Sequence, residues 1–315
     1  MKLSRLLALL LCLALTASLL AGCGKTDDGS AEPAHQSLRI ATTVFPVCDW
    51  VGQILGAYAD EAEITLLTEG GDLQKLADCD LFVSVGGSSD AWAEEALRQF
   101  PGSARTELRL LDLVGDAVKE ETLVEGMQAA GESDGAPKSD EYVWLSFRNA
   151  ETICKALGDT IGKLDAAYAD EYAANTARYI EELKAMDAHF AEDIAAAPGK
   201  TVLFGDRSPI RYLADDYGLA YYAAFPGSAK ETEASPETVA FLAGKVDELG
   251  LPCILTTESG DPALAEAILE KTAAKDAKIL RFDTMLNRTA ESGKNNPSYL
   301  NTMLRNLHAL RKALQ

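Results

Sequence analysis

The chain has 315 residues, of which 47% are apolar and 25% are charged, and its formal net charge is −20. The length is sufficient for two lobes with separate cores. Because an acidic chain repels phosphate groups, the charge argues against nucleic-acid binding and favours cationic partners.

The first residues predict export. Lys2 and Arg5 precede a long apolar run, which is the pattern of a signal peptide over residues 1–22. A Leu-Ala-Gly sequence then precedes Cys23 and resembles a bacterial lipobox, which implies cleavage before Cys23 and lipidation of this cysteine. The expected location is the outer face of the bacterial cytoplasmic membrane, or a position facing the periplasm, with a lipid anchor. An ordinary signal peptide with an incidental cysteine is the alternative.

Residues 23–36 predict a flexible tether, because they are rich in Gly, Ser, Asp, Glu and Pro and have no hydrophobic period. The cysteines beyond the tether are widely spaced without a CxxC pair, which argues against a zinc finger. We expect them to be buried thiols, and a Cys48–Cys79 disulfide is the alternative in an exported protein. These cysteines are Cys48, Cys79, Cys154 and Cys253.

An alternation of strands and helices predicts an N-terminal α/β lobe over residues 37–164. This order indicates a parallel sheet with crossover helices. The acidic and polar residues 120–141 interrupt the pattern, and residues 131–137 have the composition of an exposed loop. The predicted strands and helices before them are residues 38–43, 47–55, 64–67, 81–85, 90–100 and 108–111.

A long helix is predicted over residues 165–198. Aromatic and aliphatic side chains from Tyr168 to Ile194 recur at steps of three, four or seven, which places them on one helix face. Pro198 and Gly199 end the pattern. A helix of this length would span roughly 50 Å, longer than one small lobe, so we expect it to join two lobes. A core helix within a single large domain is the alternative.

Residues 199–315 predict a second α/β lobe, with strands at residues 201–204, 220–223, 253–256 and 278–282 and a final helix over residues 298–314. A capping residue followed by proline predicts three helix starts, and two glycines predict helix ends. The fold class is therefore α/β, with two lobes that each contain a short parallel sheet flanked by helices. The starts are Ser208-Pro209, Ser235-Pro236 and Asp261-Pro262, and the ends are Gly218 and Gly250.

Candidate ligand-binding residues follow the strands of the second lobe. Asp206, Glu258 and Asp283 come after its first, third and fourth predicted strands. Ligands of open parallel sheets bind outside the carboxyl ends of the strands, so we expect these acids at a cleft between the lobes. For Asp206, a salt bridge with the neighbouring Arg207 is the plain structural alternative.

Signals for catalysis are weak. The chain has no GxSxG, P-loop or HExxH motif and no GxGxxG after a strand. His35 lies in the tether, and His189 and His308 lie on predicted helices away from any strand end. A two-lobed hydrolase or lyase would therefore lack a catalytic set, and we expect a protein that is not an enzyme.

Four segments in chain order resemble the zinc/manganese (TroA-like) solute-binding lipoproteins of bacterial ABC importers. The resemblance implies two α/β lobes joined by one long spanning helix, in agreement with the elements predicted above. It also implies a divalent cation, zinc or manganese, that binds between the lobes as the transported ligand. The segments are Thr42–Pro46, Asp140–Ser146, Tyr212–Leu219, and Tyr299–Met303 followed by Asn306 and Leu307.

The resemblance also shows where this chain departs from the family's metal ligands. Gln74 and Tyr142 stand at the two first-lobe histidine positions. The third position falls at Asp206 or Arg207, depending on a one-residue gap, and the final aspartate matches Asp283. Zinc sites favour imidazole and thiolate, so the loss of two imidazoles removes half of a tetrahedral set.

The resemblance implies a monomeric extracytoplasmic receptor that delivers a divalent cation to an ABC permease and its ATPase. Three carboxylates are the expected metal ligands, and as hard oxygen donors they suit manganese, magnesium or calcium. A degenerate member that binds another small solute, or a surface lipoprotein for protein interaction or adhesion, is the alternative. The expected ligands are Asp206, Glu258 and Asp283, and the expected cleft-lining residues are Thr43, Asp72, Gln74, Tyr142 and Arg207.

Overall fold

The computed structural model describes residues 37–100, 104–129, 138–229, 233–258, 260, 262–286, 288 and 298–315. Within these ranges, Gln36–Gln315 cluster as one unit. The expected signal peptide, the tether with Cys23, the loop 131–137 and Asp261 lie outside the described residues. None of the described helices is both long enough and apolar enough to cross a membrane.

The first lobe contains a four-stranded parallel sheet in the order β2-β1-β3-β4. The first helix begins at Phe45, two residues earlier than predicted, because Pro46 fits the first turn, where its missing N–H costs no hydrogen bond. The fourth strand ends at Arg109, since the next residue already starts a short helix. The elements are β1 Arg39–Thr42, α1 Phe45–Leu55, β2 Glu63–Leu66, α2 Leu73–Asp78, β3 Leu81–Ser84, α3 Ala91–Arg98, β4 Thr106–Arg109 and α4 Leu110–Val114.

The second lobe contains another four-stranded parallel sheet, in the order β6-β5-β7-β8. Ser235 caps its helix as predicted, with its hydroxyl accepting from Thr238 N at 3.1 Å, and Gly218 and Gly250 end helices with left-handed φ angles. The elements are β5 Thr201–Arg207, α7 Arg211–Tyr217, β6 Ala220–Phe225, α8 Pro236–Leu249, β7 Cys253–Thr257, α9 Pro262–Lys271, β8 Lys278–Phe282 and α10 Tyr299–Ala313.

The predicted helix start at Ser208-Pro209 is wrong. Strand β5 runs three residues further than expected, to Arg207, and Ser208 N still donates to Phe225 O of the neighbouring strand at 3.0 Å. Helix α7 therefore begins only at Arg211, without a side-chain cap. Ser208 therefore pairs with β6 and does not cap a helix.

Helix α6, Ala169–Ala196, confirms the predicted long helix. Helix α5, Phe147–Leu164, precedes it and was not predicted from the sequence. Helix α6 starts after a 3-10 turn at Ala166–Tyr168. It contacts α1 and α5 of the first half and α7 and α10 of the second half. Its buried face carries Tyr172, Tyr179, Leu183, Phe190 and Ile194.

The hydrophobic core consists of three clusters of buried side chains. One cluster of buried side chains runs from strand β1 through the central helices to strands β5 and β8. A smaller cluster covers the outer face of each sheet. Each sheet therefore packs one face against helices shared by both lobes, and alternate residues of a strand point to different clusters, as Leu203 and Phe204 do.

A polar segment of the first half docks on the second lobe. We call residues 119–128 the strap, and nearly all of them belong to the acidic and polar segment 120–141 that interrupts the predicted pattern. Gln128 N donates to Ala224 O of β6 at 2.9 Å, and the Glu121 carboxylate accepts from Ser228 N at 2.6 Å and from Ser228 Oγ at 2.7 Å. These bonds hold the strap against the second lobe, although its residues are half-buried or exposed.

Candidate functional site: the cleft between the lobes

The strand order brings the three predicted acids to one edge of the second sheet. Asp206 lies near the end of β5, Glu258 directly follows β7 and Asp283 directly follows β8, and these three strands are neighbours. Because neighbouring strands lie roughly 4.8 Å apart, the acids form a row along the carboxyl edge. The row is the part of the site that the sequence predicts best.

Asp206 holds a buried acceptor that has no donor. Its residue is 8% exposed, and its Oδ2 accepts from Thr257 N at 2.8 Å and from Thr257 Oγ1 at 2.6 Å. Its Oδ1 is buried and has no hydrogen-bond partner among the described residues. Burial raises the pKa of Asp206, and the bonds from Thr257 act in the opposite direction. A cation or a proton would satisfy this oxygen.

Glu258 positions the loop that carries Asp283. Its two carboxylate oxygens accept from Thr284 N at 2.7 Å and from Thr284 Oγ1 at 2.6 Å. The next residue, Met285, has a φ of 64°, which is a left-handed conformation that costs a non-glycine residue about 1–3 kcal/mol. The clamp by Glu258 helps to hold this strained turn.

Both carboxylate oxygens of Asp283 accept hydrogen bonds. Its Oδ1 accepts from Met285 N at 2.9 Å, and its Oδ2 accepts from Arg288 Nη2 at 2.7 Å. Asn306 of α10 holds the backbone, since its side chain accepts from Asp283 N at 2.9 Å and donates to Asp283 O at 2.8 Å. Arg288 is a site residue that the sequence reasoning missed. Its pairing with Asp283 depends on the conformation of the loop after β8, which no local pattern predicts.

Tyr142 packs deeply beside the row of acids. It is 4% exposed, and a Cβ on Gly227 would lie 3.0 Å from its ring. Burial raises the pKa of Tyr142; the Arg207 charge lowers it, and the Glu258 and Asp206 charges raise it. The side chain therefore stays a phenol at neutral pH and can offer a hydroxyl but not a phenolate.

Arg207 and Asp206 form no salt bridge. Arg207 is half-buried at the end of β5, and within the described ranges it has no ion pair or hydrogen bond from its guanidinium. The plain structural explanation of Asp206 as the partner of Arg207 is therefore wrong, because Thr257 has taken the carboxylate.

The first lobe supplies a wall of a cavity with about 830 Å³ of empty space, open solvent included. Thr43 Oγ1 donates to Asp90 Oδ2 at 3.2 Å, and Asp90, which is 3% exposed, also accepts from the backbone N–H groups of Val85 and Gly86. Burial raises the pKa of Asp90. Thr43 lines this cavity. Asp90 was missed, although its place after β3 and a glycine pair was a usable signal. The cavity is lined by Thr43, Val44, Leu67, Thr68, Glu69, Ser89, Asp90, Trp92, Leu286 and Arg288.

Asp72 and Gln74 lie elsewhere on the first lobe. Both are exposed at the start of α2, where Asp72 Oδ1 caps the helix by accepting from Gln74 N at 3.0 Å. The Gln74 amide donates to both oxygens of Asp78 at 3.1 Å. Neither residue lines the cavity described above.

In the part of the chain that the structure describes, no three His, Cys, Asp or Glu side chains are grouped so that they could hold a metal ion. The described cysteines are free thiols; Cys79, Cys154 and Cys253 are buried and Cys48 is partly buried, so no Cys48–Cys79 disulfide is present. The site therefore offers a row of acids, of which only Asp206 has an oxygen without a donor, beside a buried phenol and an arginine.

Comparison with known proteins places this geometry in a family. A family model described as "Zinc-uptake complex component A periplasmic" (ZnuA) matches residues 40–313. The zinc-binding lipoprotein AdcA of Streptococcus pneumoniae is 27% identical over 298 residues, which cover 89% of this chain and 56% of that protein. The chain thus spans about half the length of this relative. The manganese-binding lipoprotein MntA of Halalkalibacterium halodurans is 23% identical over 246 residues, which cover 74% of this chain and 75% of MntA.

Solved structures agree with the family model. The Zn(II)-bound ZnuA-like domain of Streptococcus pneumoniae AdcA matches with a TM-score of 0.66 and 25% identity, over 89% of this chain and 99% of that domain. The periplasmic zinc-binding protein TroA of Treponema pallidum matches with a TM-score of 0.72 and 18% identity, over 89% of this chain and 99% of TroA, and at this identity the likeness shows the fold alone. Because the family model matches residues 40–313, this chain belongs to the ZnuA family, which is described as "Zinc-uptake complex component A periplasmic".

Proposed function

We propose that this protein is the extracytoplasmic solute-binding component of a metal-type ABC importer, which captures a divalent cation between its lobes and delivers it to a permease and its ATPase. The family match and the zinc- and manganese-binding relatives support this proposal. The proposal includes lipidation of Cys23 as the membrane anchor, a monomeric state, a role without catalysis, and the domain limits 37–164, 165–198 and 199–315.

The observation that carries the cation proposal is the unpartnered Oδ1 of Asp206. A buried acceptor without a donor costs about 1–3 kcal/mol, and a bound ligand would remove this cost. Asp216 Oδ2 is also buried without a donor, but Asp206 is the one that lies at the carboxyl edge of the sheet beside two further acids. A cation satisfies such an oxygen without a hydrogen atom, and it favours the ionised form that burial opposes. Asp206 would be the primary ligand, and Glu258 and Asp283 would lie next to it in the row.

The donor set supports a shift in metal preference away from zinc. By the resemblance, an amide (Gln74) and a phenol (Tyr142) would stand at the family's histidine positions, and the three acids provide only oxygen. Oxygen donors suit manganese, calcium and magnesium, whereas zinc prefers nitrogen and sulfur. We propose manganese as the preferred cation over zinc.

The test is a thermal melt of chelator-treated protein with manganese, zinc, calcium and magnesium added in turn. A cation at about 100 times its dissociation constant stabilises by about 2.7 kcal/mol. We expect manganese to raise the melting temperature of wild type, Asp206→Asn to abolish the rise, and the exposed second-lobe variant Asp276→Asn to retain it. If no metal shifts the wild-type melt, the cation proposal is wrong and another small solute or a protein partner becomes the leading alternative.

A further inference from the structure

We propose that Arg288 is a built-in cation that occupies Asp283 in the cleft and thereby opposes, and sets the affinity for, the transported cation. This inference rests on the proposed function and adds a residue that determines affinity at the same site. In this role Arg288 competes with the cation for Asp283 and does not bind the cation itself.

The guanidinium of Arg288 is anchored from three sides. Its Nη2 donates to Asp283 Oδ2 at 2.7 Å and to Thr302 Oγ1 of α10 at 2.7 Å. Its central carbon lies 4.4 Å from the ring centroid of Phe45 at the start of α1, which is within the range of a cation–π contact. Arg288 thus contacts the loop after β8 and helices from both halves of the chain.

Arg288 is desolvated, yet it lies at the cleft. Its side chain is 6% exposed, against 30% for the Asp283 side chain. It lines the same cavity as Thr43 and Asp90 of the first lobe. Arg288 therefore lies at a cavity that residues of both halves line, and it is paired with Asp283, one of the three acids of the proposed site.

The charge of Arg288 is permanent, because a guanidinium does not lose its proton in a protein. A divalent cation bound to Asp283 would lie a few ångströms from this positive charge, and like charges at such a distance repel strongly in a partly desolvated site. Binding at Asp283 therefore requires the guanidinium to move away, or it leaves Asp283 out of the ligand set. Either way, the affinity for the cation is lower than that of the same acids without Arg288.

A purely structural ion pair predicts the opposite result on substitution. If Arg288 only held the loop in place, its removal would disorder Asp283 and weaken cation binding. If it occupies the cation's position, its removal strengthens binding. The direction of the change therefore distinguishes the two roles.

The experiment measures the manganese affinity of the full chain by competition with a chelating indicator, for wild type, Arg288→Met and Arg281→Gln. Arg288→Met keeps an unbranched apolar side chain against Phe45 and removes the charge. Arg281 is an exposed arginine on β8, so Arg281→Gln removes one positive charge from the same lobe away from Asp283. We expect Arg288→Met to bind manganese at least tenfold more tightly than wild type, and Arg281→Gln to match wild type.

Arg288→Gln serves the same comparison if Arg288→Met does not fold, because its amide can still donate to Asp283. It should also bind more tightly than wild type. Equal or weaker binding by a folded Arg288 variant, with measurable binding by wild type, would overturn the inference and leave the proposed function intact. No manganese binding by wild type or by either Arg288 variant would overturn the proposed function and this role of Arg288 with it.

Discussion

Burial and hydrogen-bond donors, and not residue type, decide what each aspartate of this protein can do. Asp206 has a buried oxygen without a donor, Asp283 is paired with Arg288, and Asp90 is surrounded by backbone N–H groups. Asp140 is a further case, at 2% exposure, and its carboxylate accepts from Tyr142 N at 3.0 Å. Of these four, only Asp206 has a fully buried oxygen that lacks a hydrogen-bond partner within the described ranges.

Asp140 makes stability depend on pH. Burial, opposed by the Tyr142 N–H and reinforced by the charge of Glu121, raises the pKa of Asp140 to about 8. An unfolded aspartate has a pKa of about 3.9, so between about pH 4 and pH 8 the folded protein holds a proton that the unfolded chain releases. This contribution to the free energy of unfolding is complete below about pH 4 and is lost as the pH rises through about 8.

We therefore expect the free energy of unfolding of wild type to fall between pH 5 and pH 8.5, and Asp140→Asn to reduce this fall. Urea denaturation at several pH values measures the difference, with the exposed Asp276→Asn as the matched control that keeps the wild-type slope. A residual slope should remain in Asp140→Asn, because burial also raises the pKa values of Asp49 and Asp206. An unchanged slope in Asp140→Asn would contradict the assignment.

Between helices, the close approach of α5 and α6 depends on one glycine. A methyl group on Gly158 would overlap Thr176 Oγ1, and Thr176 is held because its hydroxyl donates to Tyr172 O at 2.7 Å. Gly162, one turn later on α5, is different, since a methyl group there would lie 3.4 Å from Ala169 Cβ. Both glycines are helical, so a substitution at one differs from a substitution at the other only in the packing around the added methyl group.

We expect Gly158→Ala to lower the free energy of unfolding by about 1–3 kcal/mol, because overpacking must push α6 away. Gly162→Ala should raise it by up to about 1 kcal/mol, since alanine favours the helix over glycine and meets only an ordinary contact. Urea denaturation of the two variants measures both signs. A stable Gly158→Ala would mean that Thr176 can turn aside at little cost.

Local signals predicted most helices and strands but failed where long-range pairing competed. Ser235 and Gly218 behave as their local patterns predict, because a cap needs only the residues beside it. Ser208 does not, because β6 offers it a sheet partner from another part of the chain. The strap is a second example of long-range pairing, because Glu121 and Gln128 bind residues of the second lobe that no local pattern predicts.

Across the two lobes, the shared central core is joined by hydrogen bonds from the turn that precedes α5. Trp144 Nε1 donates to Thr284 O after β8 at 2.8 Å, and Tyr299 Oη of α10 donates to Trp144 O at 2.6 Å. Tyr299 N in turn donates to Asp49 of α1 at 3.1 Å. One buried tryptophan therefore connects the chain between the lobes to the loop that carries the candidate site.

We expect Trp144→Phe to lower the free energy of unfolding by about 1–3 kcal/mol or more, because it leaves the Thr284 carbonyl without its donor and removes buried volume. Trp92→Phe is the matched control, since Trp92 is only half-buried and its indole makes no hydrogen bond among the described residues. Thermal melts of both variants measure the effect. An equal loss in the two would show that the bond across the lobes adds nothing.

The sequence by itself determined the two α/β lobes, the long helix between them and the row of acids after three strands, because these depend on periodicity, on caps and on the rule that strand ends share an edge. The resemblance predicts in addition that Gln74 and Tyr142 stand at the family's two first-lobe histidine positions. Only the tertiary structure decided which oxygen of which acid lacks a donor. Thr257, Thr284 and Arg288 are partners that folding supplies, and no local pattern predicts them. The reason is physical. The type of a side chain determines which ligands it can bind, but the hydrogen bonds formed on folding determine which of its atoms are still available to a ligand.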